Sequence, residues 1–422
     1  MARIFQNAET AVTRSSSENE STSQPQTQTP QKNSAVKQPI AAQYCATFLK
    51  PEMLHIFRQI TALRERENFL PVVFAQKREN VERFPFEPVI VIPKPRTHAL
   101  RRIWQKQISR RPVQIYRSEA RGIIAELRRV RADLLHIYFG HIAVHLLPLI
   151  ELRPLPIVVS FHGADAMVDM DKPRYRAAAQ RMLARATLVL VRSHSLADRL
   201  VDLGCERKKI RIHRTGIPLE KFPFAQREPA GENGAWRCLQ ACRLIPKKGL
   251  RTSLRAFADF AKEFPGATFT IAGDGPMLDE LRGLAASLGI AQNVHFTGFV
   301  SQDKLCELFY KSHFFLHPSE LGRDGNQEGV PNSMLEAMAT GLPALASRHG
   351  GIPEAVENNV SGILIDERDD RALSGAMREL ARDEPRFRAM SFAAAQAVGE
   401  KFELHAQARA LESFYAEALR LG

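Results

Sequence analysis

EGVPNSMLEAMATG, from Glu328 to Gly341, sets two glutamates on either side of a helix start. Pro331 suits the first helical position, where its missing N–H is no loss, and Gly341 suits the residue just past the end. The pattern predicts a helix over 331–340. Glu328 then lies in the loop at the helix mouth and Glu336 on the second turn, roughly 7–8 Å further along at ~1.5 Å per residue. Between them, the free N–H groups near Asn332, Ser333 and Met334 and the positive end of the helix dipole make an anion site. Carboxylates at both ends of such a cradle reach hydroxyls on either side of a diphosphate, which is the shape of a nucleotide-sugar. An isolated pair of glutamates at this spacing is more often merely solvated, so the reading rests on what lies upstream.

In CLQACRLIPKKGL, Cys238 to Leu244 reads as a short apolar strand and Lys247 onward as a helix start. Arg243 and Lys248 are thus cations just beyond the C-terminal end of a strand, where an open α/β sheet binds ligands. Next, ATFTIAGDGPMLDELRGLA is a β-branched and aromatic strand closed by Gly273, Asp274 and Gly275, with Pro276 opening a helix. Taken alone, that triplet is a turn. Strands near Thr268–Ala272, Val294–Thr297, Phe314–His317 and Pro343–Ser347 alternate with helices from Trp236 to Ile365. An earlier set, Leu70–Ala75, Val89–Ile92, Leu134–Phe139, Ile157–Phe161 and Leu188–Val191, does the same. Such alternation argues for two parallel, doubly wound sheets.

These pieces in this order resemble the family-four retaining nucleotide-sugar glycosyltransferases (glycosyl transferases group 1). The resemblance is dense over Trp236 to Ile365 and looser back to about Thr47. It implies the GT-B fold, an α/β architecture of two Rossmann-like domains facing across a cleft. It also implies that Arg243 and Lys248 neutralise the donor diphosphate, that Glu336 holds the ribose and that Glu328 contacts the donor sugar. His162, in VVSFHGAD, matches the family histidine facing the sugar and leaving group. Gly140 and His141 in HIYFGH, with Gly163 and Asp165, match the acceptor-side loops. HIYFG, FHGAD and HRTGIP are similar to the subgroup that builds exopolysaccharides of the colanic acid and amylovoran type. Cys242 departs from the pattern where glycine is frequent, and HRTGIP replaces a commoner Pro-Asn-Gly string. The implied partners are a UDP- or GDP-sugar donor and a saccharide or lipid-linked acceptor. No cofactor and no metal are expected. A GT-B epimerase or phosphorylase, or a non-catalytic binding protein, is the alternative.

The 422 residues, 44% apolar, suffice for two cores. The expected division is a disordered tail over 1–38, an acceptor-side domain over 39–215, a linker over 216–234, a nucleotide-sugar domain over 235–400 and a C-terminal helix over 401–422 packing back on the first domain. The tail is rich in Ser, Thr, Gln and Pro and cannot bury enough apolar surface to fold. No run spans a bilayer, because LLPLIELRPLPIVVSF is broken by Glu151, Arg153 and three prolines. Five cysteines without a CxxC pair exclude a disulfide framework or zinc knuckle and suit a reducing cytoplasm. His141 and His145 have metal-ligand spacing beside His136, but HIAVH lacks the acidic base of a zinc protease. Asp169 and Asp171 form a D-x-D read as a surface or capping feature.

The whole chain carries a net +13. From Lys94 to Arg131, twelve Lys or Arg stand against Glu119 and Glu126. There THALRRIWQKQISRRP sets Leu100, Ile103, Trp104 and Ile108 on one helical stripe, with Arg101, Arg102, Lys106 and Arg110 around it. The segment suits either an anionic membrane surface, at the inner face of the plasma membrane, or docking on the N-terminal domain through the stripe. The high pI raises nucleic acid, but interleaved aromatics and RNA-binding motifs are missing, so no nucleic-acid partner is expected.

Overall fold

The computed structural model describes residues 38–422 except 96, 110, 153, 167–168, 232–234, 323–324 and 326. The stretch read as a disordered tail lies outside the described residues but for Gln38, as does Arg110. Short runs such as Leu134–Tyr138 and Ile157–Phe161 are buried along their whole length, as strands covered on both faces must be. Seven parallel strands form the first sheet: β1 (Ile40–Phe48), β2 (Leu70–Arg78), β3 (Val89–Val91), β4 (Leu134–Tyr138), β5 (Ile157–Phe161), β6 (Leu188–Val191) and β7 (Ile210–Ile212). Their order is β3-β2-β1-β4-β5-β6-β7. Six more form the second: β8 (Arg237–Ala241), β9 (Thr268–Ala272), β10 (Val294–Gly298), β11 (Phe314–His317), β12 (Ala344–Ser347) and β13 (Gly362–Ile365), ordered β10-β9-β8-β11-β12-β13. In each sheet the strand order reverses beside the first strand, between β1 and β4 and between β8 and β11. A crevice opens there beyond the carboxyl ends.

The chain passes between the halves twice, side by side. Ile217 N–H donates to the Phe402 carbonyl at 2.7 Å, and Leu404 N–H to the Ile217 carbonyl at 3.0 Å. Of the segment read as linker, Phe222 enters the core of the C-terminal half and Arg227 donates to Thr340 at 2.7 Å. The last helix, Leu404–Leu421, lies on the N-terminal sheet, with Leu411, Tyr415 and Ala418 among Leu134, Val158 and Leu188.

The basic helix does not dock through its apolar stripe. It spans His98–Ile103 and continues as a π-helical turn over Trp104–Ile108. Leu100 and Ile108 are 71% and 70% exposed, and Ile103 and Trp104 are half exposed. What holds it is Arg101, which is buried, ion-paired with Glu119 and stacked over the Tyr116 ring at 4.9 Å. Arg101 is therefore a packing residue and not part of a basic surface: a buried guanidinium with a half-buried carboxylate partner keeps the inner side of the helix, and the apolar stripe is left facing outward.

Candidate active site

A cleft of about 450 Å³ lies between the carboxyl ends of the two sheets and is lined from both halves. Its C-terminal wall begins with the helix Asn332–Ala339, which starts one residue later than expected. Pro331 is the N-cap, its ψ of 123° extended. Gly341 takes φ +87°, the left-handed conformation that ends a helix. Asn332 and Ser333 line the cleft. The Ser333 hydroxyl donates to the Ala241 carbonyl at 2.7 Å and so ties the helix mouth to the end of β8. Met334 is fully buried in the core, so its side chain cannot reach a ligand.

Arg243 and Lys248 follow β8 and face the same space, with Gly273 and Asp274 beside them. A Cβ on Gly273 would stand 1.9 Å from the Cys242 carbonyl oxygen, at φ +141°, so only glycine lets the two loops touch. Leu244 N–H closes the contact by donating to the Asp274 carbonyl at 2.9 Å. The Gly273–Gly275 turn thus positions the Arg243 segment. Gly275 supports that turn and does not line the cleft.

The two glutamates are both in the cleft and held differently. Lys248 Nζ donates to Glu328 Oε2 at 2.6 Å, with Lys247 Nζ 3.7 Å from the same oxygen. Burial pushes the Glu328 carboxyl up, but the two lysines outweigh it and hold it at about 2, so it is ionised. Its backbone N–H donates to His349 Nε2 at 3.0 Å, which leaves the imidazole proton on Nδ1, 2.6 Å from Glu367 Oε1. Glu336 is bound across the cleft: Arg58 Nη1 donates to its Oε1 at 2.6 Å, and Gln302 Nε2 to its Oε2 at 3.0 Å.

His162, at the end of β5, comes from the opposite wall. Its Nδ1 lies 3.1 Å from His55 Nε2 and 3.4 Å from Arg192 Nη2, and its Nε2 lies 3.0 Å from Ser160 Oγ. Burial, with Arg192 beside it, drives the ring well below the usual histidine range, so the imidazole is neutral with both nitrogens engaged by protein. Asp165 staples the two loops, accepting from Gly140 N–H at 2.9 Å and His162 N–H at 2.8 Å. Gly163 comes close to Gly329 across the cleft: a Cβ there would lie 3.3 Å from the Gly329 nitrogen. His141 lies outside this cleft and lines a second cavity.

Sequence reasoning missed Arg58, His55, Arg192 and His349. The helix Leu54–Glu65 carries His55, Arg58 and Gln59 at i, i+3 and i+4 as a polar stripe, the signal that could have found the first two, and Arg58 and Gln59 are buried. The histidine trio does not assemble, because His136 is enclosed in β4 and bonds the Tyr415 hydroxyl at 2.7 Å. Asp169 pairs with Lys172. Among the described residues no group of three or more His, Cys, Asp or Glu side chains is placed to hold a metal ion.

Two doubly wound sheets facing across a charged cleft are the GT-B arrangement. The sequence matches Glycosyltransferase Family 4 over residues 55–221 and Glycosyl transferases group 1 over 224–397. It is 32% identical to the amylovoran biosynthesis glycosyltransferase AmsK of Erwinia amylovora over 68% of this chain and 71% of that protein. The colanic acid biosynthesis glycosyltransferase WcaL of Escherichia coli K12, whose assignment is marked putative, is 33% identical over 60% of this chain and 63% of that protein. The fold is shared with Anabaena HepE in complex with UDP, at a TM-score of 0.71 and 16% identity, over 90% of this chain and 100% of that one. The chain belongs to the family-four glycosyltransferases.

Proposed function

We propose that this glycosyltransferase moves a hexose, with retention of configuration, from a nucleotide-diphosphate sugar to a saccharide or lipid-linked acceptor in exopolysaccharide assembly. The observation that carries the reading is the convergence on one cleft of Arg243, Lys248, the mouth of the helix Asn332–Ala339 and both glutamates. AmsK and WcaL are named for exopolysaccharide synthesis, which supports the pathway class.

As the sugar–phosphate bond breaks, the leaving diphosphate gains negative charge, and preorganised donors aimed at that charge lower the barrier. Arg243 offers a planar fork, Lys248 a point charge and the helix mouth its N–H groups. Glu328, ionised and fixed by His349, faces the donor sugar, and Glu336 takes the ribose hydroxyls. His162, neutral and engaged at both nitrogens, orients the reacting groups, and the departing phosphate accepts the acceptor's proton on the same face. Because these groups already meet the diphosphate charge, turnover needs no divalent metal.

The exposed Leu100, Ile103, Trp104 and Ile108 support a peripheral site on the inner face of the plasma membrane. Among the described residues no helix is long and apolar enough to cross a membrane. A panel of UDP-, GDP- and ADP-sugars, read by thermal stabilisation and slow hydrolysis with and without EDTA, tests the reading. One donor should stabilise the protein and release free nucleoside diphosphate in both conditions. No stabilisation by any donor, or an epimerised donor without diphosphate release, overturns the transfer reading, and activity restored only by manganese overturns metal independence.

A further inference from the structure

His349 and Glu367 are brought together by strand register: each is the second residue beyond the paired ends of β12 and β13, where Ser347 lies opposite Ile365. The Glu367 carboxylate uses both of its oxygens. Oε1 accepts from His349 Nδ1 at 2.6 Å, and His349 Nε2 in turn accepts from the Glu328 N–H at 3.0 Å. Oε2 accepts from the Leu321 N–H at 2.8 Å. One side chain thus reaches Leu321 directly and Glu328 through the imidazole, at the two ends of the same stretch. Between β11 and the helix Asn332–Ala339 the described residues form no helix or strand, so no regular element fixes Glu328. Gly350 lets the His349 turn lie against it: at φ +56° a Cβ would stand 2.0 Å from the Glu328 carbonyl oxygen. Burial pushes the Glu367 carboxyl up, but the Leu321 N–H and His349 outweigh it and hold it below the ordinary carboxylate range. Neither His349 nor Glu367 lines the donor cleft, so the pair acts from behind its wall.

We propose that Glu367 is a positioning residue for the donor sugar, acting through His349 to aim the Glu328 carboxylate at the hexose while it pins Leu321 at the other end of the loop. The inference rests on the glycosyltransferase reading and on the place of Glu328 beside the sugar. Both ends need an acceptor at once. The Leu321 N–H can only donate, and His349 must carry its proton on Nδ1 to leave Nε2 open to the Glu328 N–H. An ionised carboxylate accepts on both oxygens. An amide of the same shape accepts on one side and donates on the other, so it either releases Leu321 or forces the imidazole proton onto Nε2, against the Glu328 N–H. The nucleotide half of the donor is assigned to Arg243 and Glu336, outside this relay, and keeps its site.

The test uses the full chain and the UDP-, GDP- or ADP-sugar that stabilises the parent, beside its own nucleoside diphosphate. Glu367→Gln should lower kcat for slow hydrolysis of that nucleotide-sugar by about a hundredfold, the loss that a ~1 Å misplacement brings. Calorimetry should find its affinity for the nucleoside diphosphate unchanged. His349→Leu should give the same split between turnover and nucleotide affinity. The double variant should lose far less than the product of the two single losses, because the two side chains act as one unit. Turnover of Glu367→Gln equal to the parent's overturns the proposal. A parallel loss of nucleotide affinity also overturns it, by making Glu367 a general support of the C-terminal half, and losses that multiply in the double variant remove His349 from the relay and overturn it likewise. Full turnover of Glu328→Gln would instead overturn the placement of Glu328 beside the sugar, and failure of every nucleotide-sugar to stabilise the parent would overturn the glycosyltransferase reading, so the failures are distinguishable.

Discussion

The two walls of the donor cleft handle charge in opposite ways. On the C-terminal wall, Lys247, Lys248 and Glu328 satisfy one another within a single half, and His349 locks the carboxylate's loop from behind. On the N-terminal wall, Arg58 reaches across to Glu336 in the other half, the carboxylate it pairs with among the described residues. The first arrangement is a site assembled before any ligand arrives. The second is a contact between halves on the very carboxylate assigned to the ribose, so the ribose must share or displace Arg58. Closure of two separated domains onto the donor is the expectation for such a cleft. Here Arg58 and Glu336 already join the walls, and His194 N–H donates to Glu354 at 2.6 Å further out. On the proposed ribose assignment, donor binding exchanges the partner of Glu336.

The largest effect should come from breaking the cross-cleft pair on one side only. Arg58→Leu leaves the Glu336 carboxylate buried with Gln302 alone, and a buried ion pair broken in this way costs about 3–5 kcal/mol. Urea unfolding should register that loss, and Arg58→Leu combined with Glu336→Leu should recover most of it. A single variant as stable as the parent would make the contact incidental. Within the C-terminal wall, Lys248→Ala should lower kcat by about 10²–10³, the range for losing one preorganised donor to a developing anion. A change in KM alone, seen in steady-state transfer assays, would remove Lys248 from the leaving-group side. Glu336→Gln should weaken binding of free nucleoside diphosphate by roughly ten- to a hundredfold, as loss of a charge-assisted hydrogen bond worth about 1.5–3 kcal/mol implies. Calorimetry showing unchanged affinity would sink the ribose assignment.

The smallest effect is common to both halves. Burial drives His213 in the first half and His317 in the second down to about 3. The unfolded chain therefore takes up protons near pH 6.5 that the folded chain refuses, and stability falls as the pH drops through 6.5 toward 3. Between pH 7 and pH 6 each histidine should contribute a loss of roughly 0.7 kcal/mol. His317→Gln should flatten that dependence by one histidine's share in urea titrations at the two pH values, and an identical slope would count against the buried neutral state.

Several strands could be read to the residue, Ile157–Phe161 and Thr268–Ala272 among them, because apolar β-branched runs bounded by turn residues carry their own signal. β1, IAAQYCATF, escaped that reading. It is weak in β-branched residues and carries Gln43, a buried amide whose partners Tyr138 and Tyr415 come from distant segments. The charged groups of the C-terminal wall stood out because they sit in short motifs punctuated by glycine and proline. Arg58 did not, because its partner is 278 residues away.

The sequence by itself determined the two alternating α/β sets and the cations and carboxylates of the donor wall. Periodicity, capping and turn chemistry act within a few residues, where local sequence specifies them. The tertiary structure alone decided that Arg58 holds Glu336, that Arg101 is buried while its helix turns Leu100 and Ile108 outward, and that His162 is neutral. Those outcomes depend on which groups from remote parts of the chain come within a few ångströms and exclude water, and no local pattern records that distance.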